Sequence, residues 1–171
     1  MKKRHSAWFT ILTLATVGSA ALTLSGCSVL DNITGGGEGV VEGEGESTDV
    51  FTIEVGDCLN DAEAGETVSD VPVVDCAEPH DSEAFKSIIM DDGDFPGQAA
   101  IDTASEEGCV TAFAEFAGIS YEESTLGVSW YFPTEDGWSN GDREILCLVY
   151  SINEDGTAAV PTTGSLAGAG I

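Results

Sequence analysis

The chain has 171 residues, of which 31 are acidic and 5 are basic, and its formal net charge is −26. Three of the basic residues precede Cys27, so the rest carries 31 acidic residues against two basic ones, Lys86 and Arg143, a formal charge of −29. This balance excludes nucleic acid as a partner, because its binding needs a basic footprint. The balance also excludes charge-driven docking to anionic lipid head groups. It permits association with a basic partner or with divalent cations, and the simpler interpretation is a solvated acidic surface.

Residues 1–26 have the layout of a secretory signal: a basic start, an uncharged apolar stretch from Ala7 to Leu24, and small residues before Cys27. The sequence Leu-Ser-Gly-Cys at 24–27 resembles a bacterial lipobox. The resemblance implies that Cys27 carries lipid on its sulfur and becomes the mature N-terminus. An ordinary cleavage site near a cysteine, or an uncleaved anchor, is the alternative. We therefore expect a lipid-anchored protein on the extracytoplasmic face of the cell membrane.

Residues 27–49 follow as an acidic segment rich in glycine and glutamate. The segment has few apolar residues, so it cannot bury enough surface to fold by itself. Such a composition predicts a flexible tether between the anchor and the folded domain.

The folded domain is predicted to span residues 50–152, a usual length for one domain. Alternation of apolar and polar residues, with turn signals between the runs, predicts five strands. They are expected at 51–55, 71–76, 84–90, 126–132 and 144–150. The segment 153–171 is rich in glycine, alanine and threonine and is predicted to be disordered.

One helix is predicted, over residues 98–117. Apolar residues recur there at steps of three and four, among them Ile101, Cys109 and Phe113, while Ser105 is assigned to the opposite side. Gly118 then supplies a C-terminal stop. Strands, one helix and more strands predict an α+β fold, with the helix packed on a small, mostly antiparallel sheet.

Four cysteines remain after Cys27, an even number that favours two disulfides in an exported domain. Three pairings are open, and we prefer Cys58–Cys76 and Cys109–Cys147. The first pair lies at the ends of neighbouring predicted strands. The second joins the apolar face of the helix to the strand face that it would cover. A zinc site including Cys76 and His80 is the alternative, although the chain lacks a close cysteine pair. No metal or cofactor is therefore expected.

An ordered set of short motifs resembles the septum formation domain family of actinobacterial membrane proteins and lipoproteins. The resemblance covers about Val55 to Tyr150. It implies a part in cell division or envelope biogenesis, and a division or envelope protein as partner, but it implies no reaction. The motifs are Gly56-Asp57-Cys58, Val74-Asp75-Cys76 with Pro79-His80 and Glu83, Cys109, Pro133-Thr134, Trp138, Gly141-Asp142-Arg143 and Cys147.

Four residues are candidates for binding: His80, Glu83, Trp138 and Arg143. His80, among carboxylates, is either a ligand or proton-transfer group, or a cap on the turn after Cys76. Arg143 either pairs with a carboxylate such as Asp57 or Glu83, or binds an anionic group in a groove. Trp138 is either a partner contact or a lid on the core.

The sequence thus favours a lipid-anchored extracytoplasmic binding or scaffold domain and no enzyme. The alternative is a small hydrolase or metal-dependent enzyme that uses His80 and its neighbouring carboxylates. No serine lies in a recognisable nucleophile turn, so no catalytic residue is assigned.

Overall fold

The protein is described here by a computed structural model, which covers residues 43–65 and 67–171. Residues 1–42 lie outside it, and with them the predicted signal, Cys27 and most of the predicted tether. Within the described ranges, no helix combines the length and apolar character needed to cross a membrane.

Seven strands form one antiparallel sheet in the order β1-β3-β2-β4-β6-β5, with β7 paired to β6. One long helix, α1 (Gln98–Ala117), and a short helix, α2 (Glu135–Ser139), complete the domain. The predicted α+β fold is confirmed. The strands are β1 (Glu46–Asp49), β2 (Cys58–Leu59), β3 (Asp70–Val74), β4 (Ser82–Ile89), β5 (Leu126–Tyr131), β6 (Glu144–Ile152) and β7 (Ala159–Val160).

Strand β6 is the centre of the core because its two faces are both buried. Ile145, Cys147 and Val149 point towards α1 and join the helix-side cluster with Phe113 and Leu166. The alternate residues of β6 join a second cluster on the other side of the sheet. Side chains alternate along a strand, so one nine-residue strand supplies both clusters.

Helix α1 has the bounds that its apolar pattern predicted, and Gly118 ends it in the left-handed conformation with a φ of 79°. The expected position of Ser105 was wrong, because its side chain is fully buried. Its hydroxyl donates to the Ile101 carbonyl at 2.9 Å, which satisfies the group inside the core.

Both predicted disulfides are present: Cys58–Cys76 and Cys109–Cys147. They close loops of 18 and 38 residues. In the chain-entropy account such loops stabilise the fold by about 3 and about 4 kcal/mol. The second bond fixes α1 directly to the central strand.

The strand predicted at 51–55 was wrong. Val50–Thr52 is a 3₁₀ turn, with the Asp49 side chain accepting from the Phe51 amide at 3.0 Å. Ile53 is buried, whereas Phe51 is 64% exposed and Val55 is 54% exposed. Local capping by a carboxylate therefore overrides the alternating pattern.

Both expected domain ends differ from the structure. At the N-terminal end, β1 pairs with β3 from Glu46 to Asp49, inside the segment predicted as tether. At the C-terminal end, residues 153–171, predicted to be disordered, contain β7 and the buried Leu166. The domain gains an edge strand at one end and a packed segment at the other.

Candidate functional site

His80 lies just before β4 and is fully buried. Its backbone exchanges two hydrogen bonds of 2.9 Å with Thr162. Its Nδ1 lies 2.9 Å from the Glu78 carbonyl oxygen; since a carbonyl only accepts, Nδ1 carries the proton and donates. Among the described atoms, Nε2 has no hydrogen-bond partner. The bond to Glu78 is the contact expected of a histidine that caps the turn after Cys76.

Glu83 is the second buried member of this region, with 3% of its surface exposed. One carboxylate oxygen accepts from Ser165 Oγ at 2.7 Å, and the other from the Leu166 amide at 2.7 Å. A charged acceptor makes both bonds stronger than neutral ones. Glu83 therefore fastens the C-terminal segment to β4, a role that no local sequence pattern indicated.

Cys58, His80 and Glu83 form the one cluster of potential metal ligands found in residues 43–65 and 67–171. Their potential ligand atoms lie within 4.8 Å of one another, and all three residues are buried. However, Cys58 Sγ is bonded to Cys76, so it has no thiolate charge to offer. With that disulfide closed, the donor set does not fit zinc, which binds cysteine as thiolate.

Asp61 is the centre of a polar network that no sequence motif indicated. Ser82 Oγ donates to one carboxylate oxygen at 2.7 Å, and the Tyr131 hydroxyl donates to the other at 2.9 Å. Burial raises the pKa of Asp61, against the lowering effect of the two hydrogen bonds. Burial and the charge of Asp61 raise the pKa of Tyr131 far above its ordinary value.

Arg143 and Trp138 form a separate structural corner. The Arg143 guanidinium donates to the Trp138 carbonyl at 2.7 Å and the Asp142 carbonyl at 2.6 Å. Its Cζ lies 4.0 Å from the Trp138 ring centroid, a cation–π distance. Asp92, rather than Asp57 or Glu83, is its carboxylate partner at 3.3 Å, in ionic contact without a directed hydrogen bond.

Trp138 is 5% exposed. Its indole nitrogen donates to the Gly93 carbonyl at 2.9 Å, and its ring meets Phe95 edge-on at 6.0 Å. The side chain thus closes the corner between α2 and the turn that precedes α1. These contacts match the lid that the sequence offered as one of two roles.

The four candidate binding residues do not form one site. His80 and Glu83 lie at the start of β4, where Glu83 pairs with Val149. Arg143 directly precedes β6, whose first residue, Glu144, pairs with the last residue of β4. Six residues of strand separate the two ends, which is about 20 Å.

An open groove with room for a ligand lies between β4 and α1. It measures about 410 Å³, and Lys86, one of the two basic residues after Cys27, is exposed at its rim. Nothing in the sequence pointed to this groove, because it depends on how the helix crosses the sheet. Its lining is Val55, Phe85, Lys86, Ser87, Ala112, Glu115 and Phe116.

A protein-family model, Septum formation, matches residues 55–170. The match takes in almost all of the C-terminal segment that Glu83 and His80 hold in place. No curated protein and no solved structure matches the chain significantly. The matched region is well over half of the chain, and the chain therefore belongs to the septum formation family.

Proposed function

We propose that the protein is a lipid-anchored extracytoplasmic binding domain that acts in septum formation or cell-envelope biogenesis. Membership of the septum formation family is the observation that carries the cellular role. The Leu-Ser-Gly-Cys sequence at 24–27 and the basic residues before it support the anchor and its location. The two disulfides agree with an oxidising compartment.

The contacts support binding rather than catalysis. The His80 ring has no exposed surface, and both carboxylate oxygens of Glu83 already accept hydrogen bonds from the protein. A general acid or base must reach a substrate proton, directly or through one water. No contact of the described residues favours the hydrolase alternative, and we propose no second function.

The anchor is tested by mass spectrometry of the membrane fraction. We expect wild-type Cys27 to carry lipid, and the Cys27→Ser protein to lack it. Ser6→Ala, which changes the signal but keeps residues 24–27, is the control and should remain anchored. An unmodified Cys27 in the wild-type protein would refute the anchor.

The cellular role is tested in dividing cells by crosslinking the anchored protein and identifying what it captures. We expect division or envelope proteins to be enriched over a Cys27→Ser control, and a fluorescent fusion to concentrate at the septum. Uniform distribution together with no enriched envelope protein would contradict the proposal.

A further inference from the structure

One edge of β4 is open beside the groove. On one side, β6 pairs with β4 from Glu83 to Ile89. On the other, β2 pairs only with Ser82 and Glu83, and the last backbone bonds are those of Ala84 with Gly56 and Asp57. In residues 43–65 and 67–171, no strand covers this side of β4 beyond that point.

The segment that precedes β2 stops pairing with β4 because the chain turns at residues 54–57. The Asp57 amide bonds to the Glu54 carbonyl at 3.1 Å, and Gly56 has a φ of 104°, which favours glycine. The chain therefore stops running along β4 at this turn, and Val55 lines the groove. An irregularity in the ladder between Ala84 and Lys86 lies at the same level.

The backbone groups on this edge are set by strand alternation. The Met90 amide bonds to the Arg143 carbonyl, so Met90 faces β6. Backbone groups of successive residues point to opposite sides of an antiparallel strand, so those of Ser87 and Ile89 face away from β6. These two residues offer the donors and acceptors that an added strand would need.

Apolar surface accompanies the open edge. Phe85 and Phe116, with ring centroids 5.2 Å apart, form the floor of the groove together with Ala112. Val55 at the rim is 54% exposed, and Ile89 on the edge itself is 68% exposed. An extended segment pairing with Ser87 and Ile89 could place alternate side chains over this floor.

Charge decides between a second copy and another partner. Two copies would each bring 31 acidic residues, so their net charges would repel each other. Within the described residues the ion pair found is Arg143–Asp92, so Lys86 and Glu115 at the groove have no ionic partner. The negative electrostatic field of the chain favours a partner rich in lysine and arginine, with Glu115 as the local contact of that partner.

We propose that the β4–α1 groove binds an extended, basic peptide segment of another protein, which adds a strand to β4 at Ser87 and Ile89. The peptide would place an apolar side chain on Phe85 and Phe116 and a basic one at Glu115. This inference rests on the proposed binding function and names its site and the chemistry of its partner.

The test uses the ¹⁵N-labelled full chain in detergent and a pool of capped octapeptides in which apolar residues and lysine or arginine occupy positions i and i+2, on the same face of an added strand. We expect amide shifts centred on Ser87 and Ile89, and slower hydrogen exchange of those two amides. Peptides N-methylated at alternate positions, which cannot pair, should bind at least tenfold more weakly. A pool with glutamate in place of the basic residues should not bind.

Two variants separate groove binding from general charge effects. Glu115→Lys should weaken binding by about threefold to tenfold, whereas Glu122→Lys, the same change at an exposed position outside the groove lining, should have a smaller effect. Equal effects of the two, shifts elsewhere, or no shifts with the pool would overturn the inference. If Glu115→Lys leaves septal capture intact, the groove proposal fails while the cellular role stands; if wild type captures nothing, the cellular role itself fails.

Discussion

Glu83 gives the sharpest test of how the domain holds its C-terminal segment. Glu83→Ala removes the acceptor of two bonds, leaving the Leu166 amide and the Ser165 hydroxyl without their partner. Each bond to a buried charged group is worth about 1.5–3 kcal/mol. Some of that loss is offset, because a carboxylate no longer has to be buried. We expect a net loss of about 3 kcal/mol in the free energy of unfolding.

Glu83→Gln is the matched comparison, because it can keep both bonds. Its amide oxygen can accept from Leu166 while its NH₂ group donates to the Ser165 hydroxyl, which can also accept. Only the charge is lost, so we expect a cost of about 1 kcal/mol. Glu154→Gln, at an exposed position, should cost less than about 0.5 kcal/mol.

Urea denaturation measures these free energies, and hydrogen exchange of residues 159–170 shows whether the segment detaches. Faster exchange there is expected in Glu83→Ala and much less in Glu83→Gln. The reasoning is refuted if the glutamine variant loses as much stability as the alanine variant, or if neither variant changes exchange in the segment.

Three further predictions concern the rest of the domain. Replacing Cys109 and Cys147 together by alanine should cost about 4 kcal/mol in urea unfolding, and an unchanged midpoint would contradict the entropic account. Asp61 has a folded-state pKa raised above 3.8, so the folded state binds its proton more tightly, and wild type should lose stability as pH rises from 3.8 through the folded value. Asp61→Asn should lack that component; identical pH profiles from pH 3.5 to 7 would refute this. Arg143→Lys should cost about 1–2 kcal/mol, because lysine lacks the planar fork above Trp138, and the tryptophan emission should shift to longer wavelength. Unaltered emission and stability would show that the contact between Arg143 and Trp138 does not stabilise the domain.

The helix and the disulfides were predictable because their signals are local or combine two local faces. Cys109 lies on an apolar helix face and Cys147 on an inward strand face, and packing the two elements brings the pair together. The prediction of a strand at 51–55 was wrong although apolar and polar residues alternate there. There, Asp49 and Asp57 bond to nearby backbone amides and hold turns instead.

The prediction that residues 153–171 are disordered was wrong for a different reason. Its order depends on Glu83 and His80, which lie about 80 residues earlier in the chain. No composition rule within 153–171 reveals a partner at that distance. The groove was likewise beyond prediction, since it needs Phe116 of α1 and Phe85 of β4 in contact and the chain at Val55 turning away. Interactions between distant segments decide both features.

The place where the N-terminal chain joins the sheet has a mechanical consequence. The chain enters through β1, an edge strand of four residues, and the closed Cys58–Cys76 bond follows about a dozen residues later. Tension applied through the proposed lipid anchor would peel β1 from β3 first and would then be stopped at the covalent link. The released residues would lengthen the connection between the proposed anchor and the domain by about 40 Å. The extension would be limited to that length, and Val55 would leave the groove with the released residues.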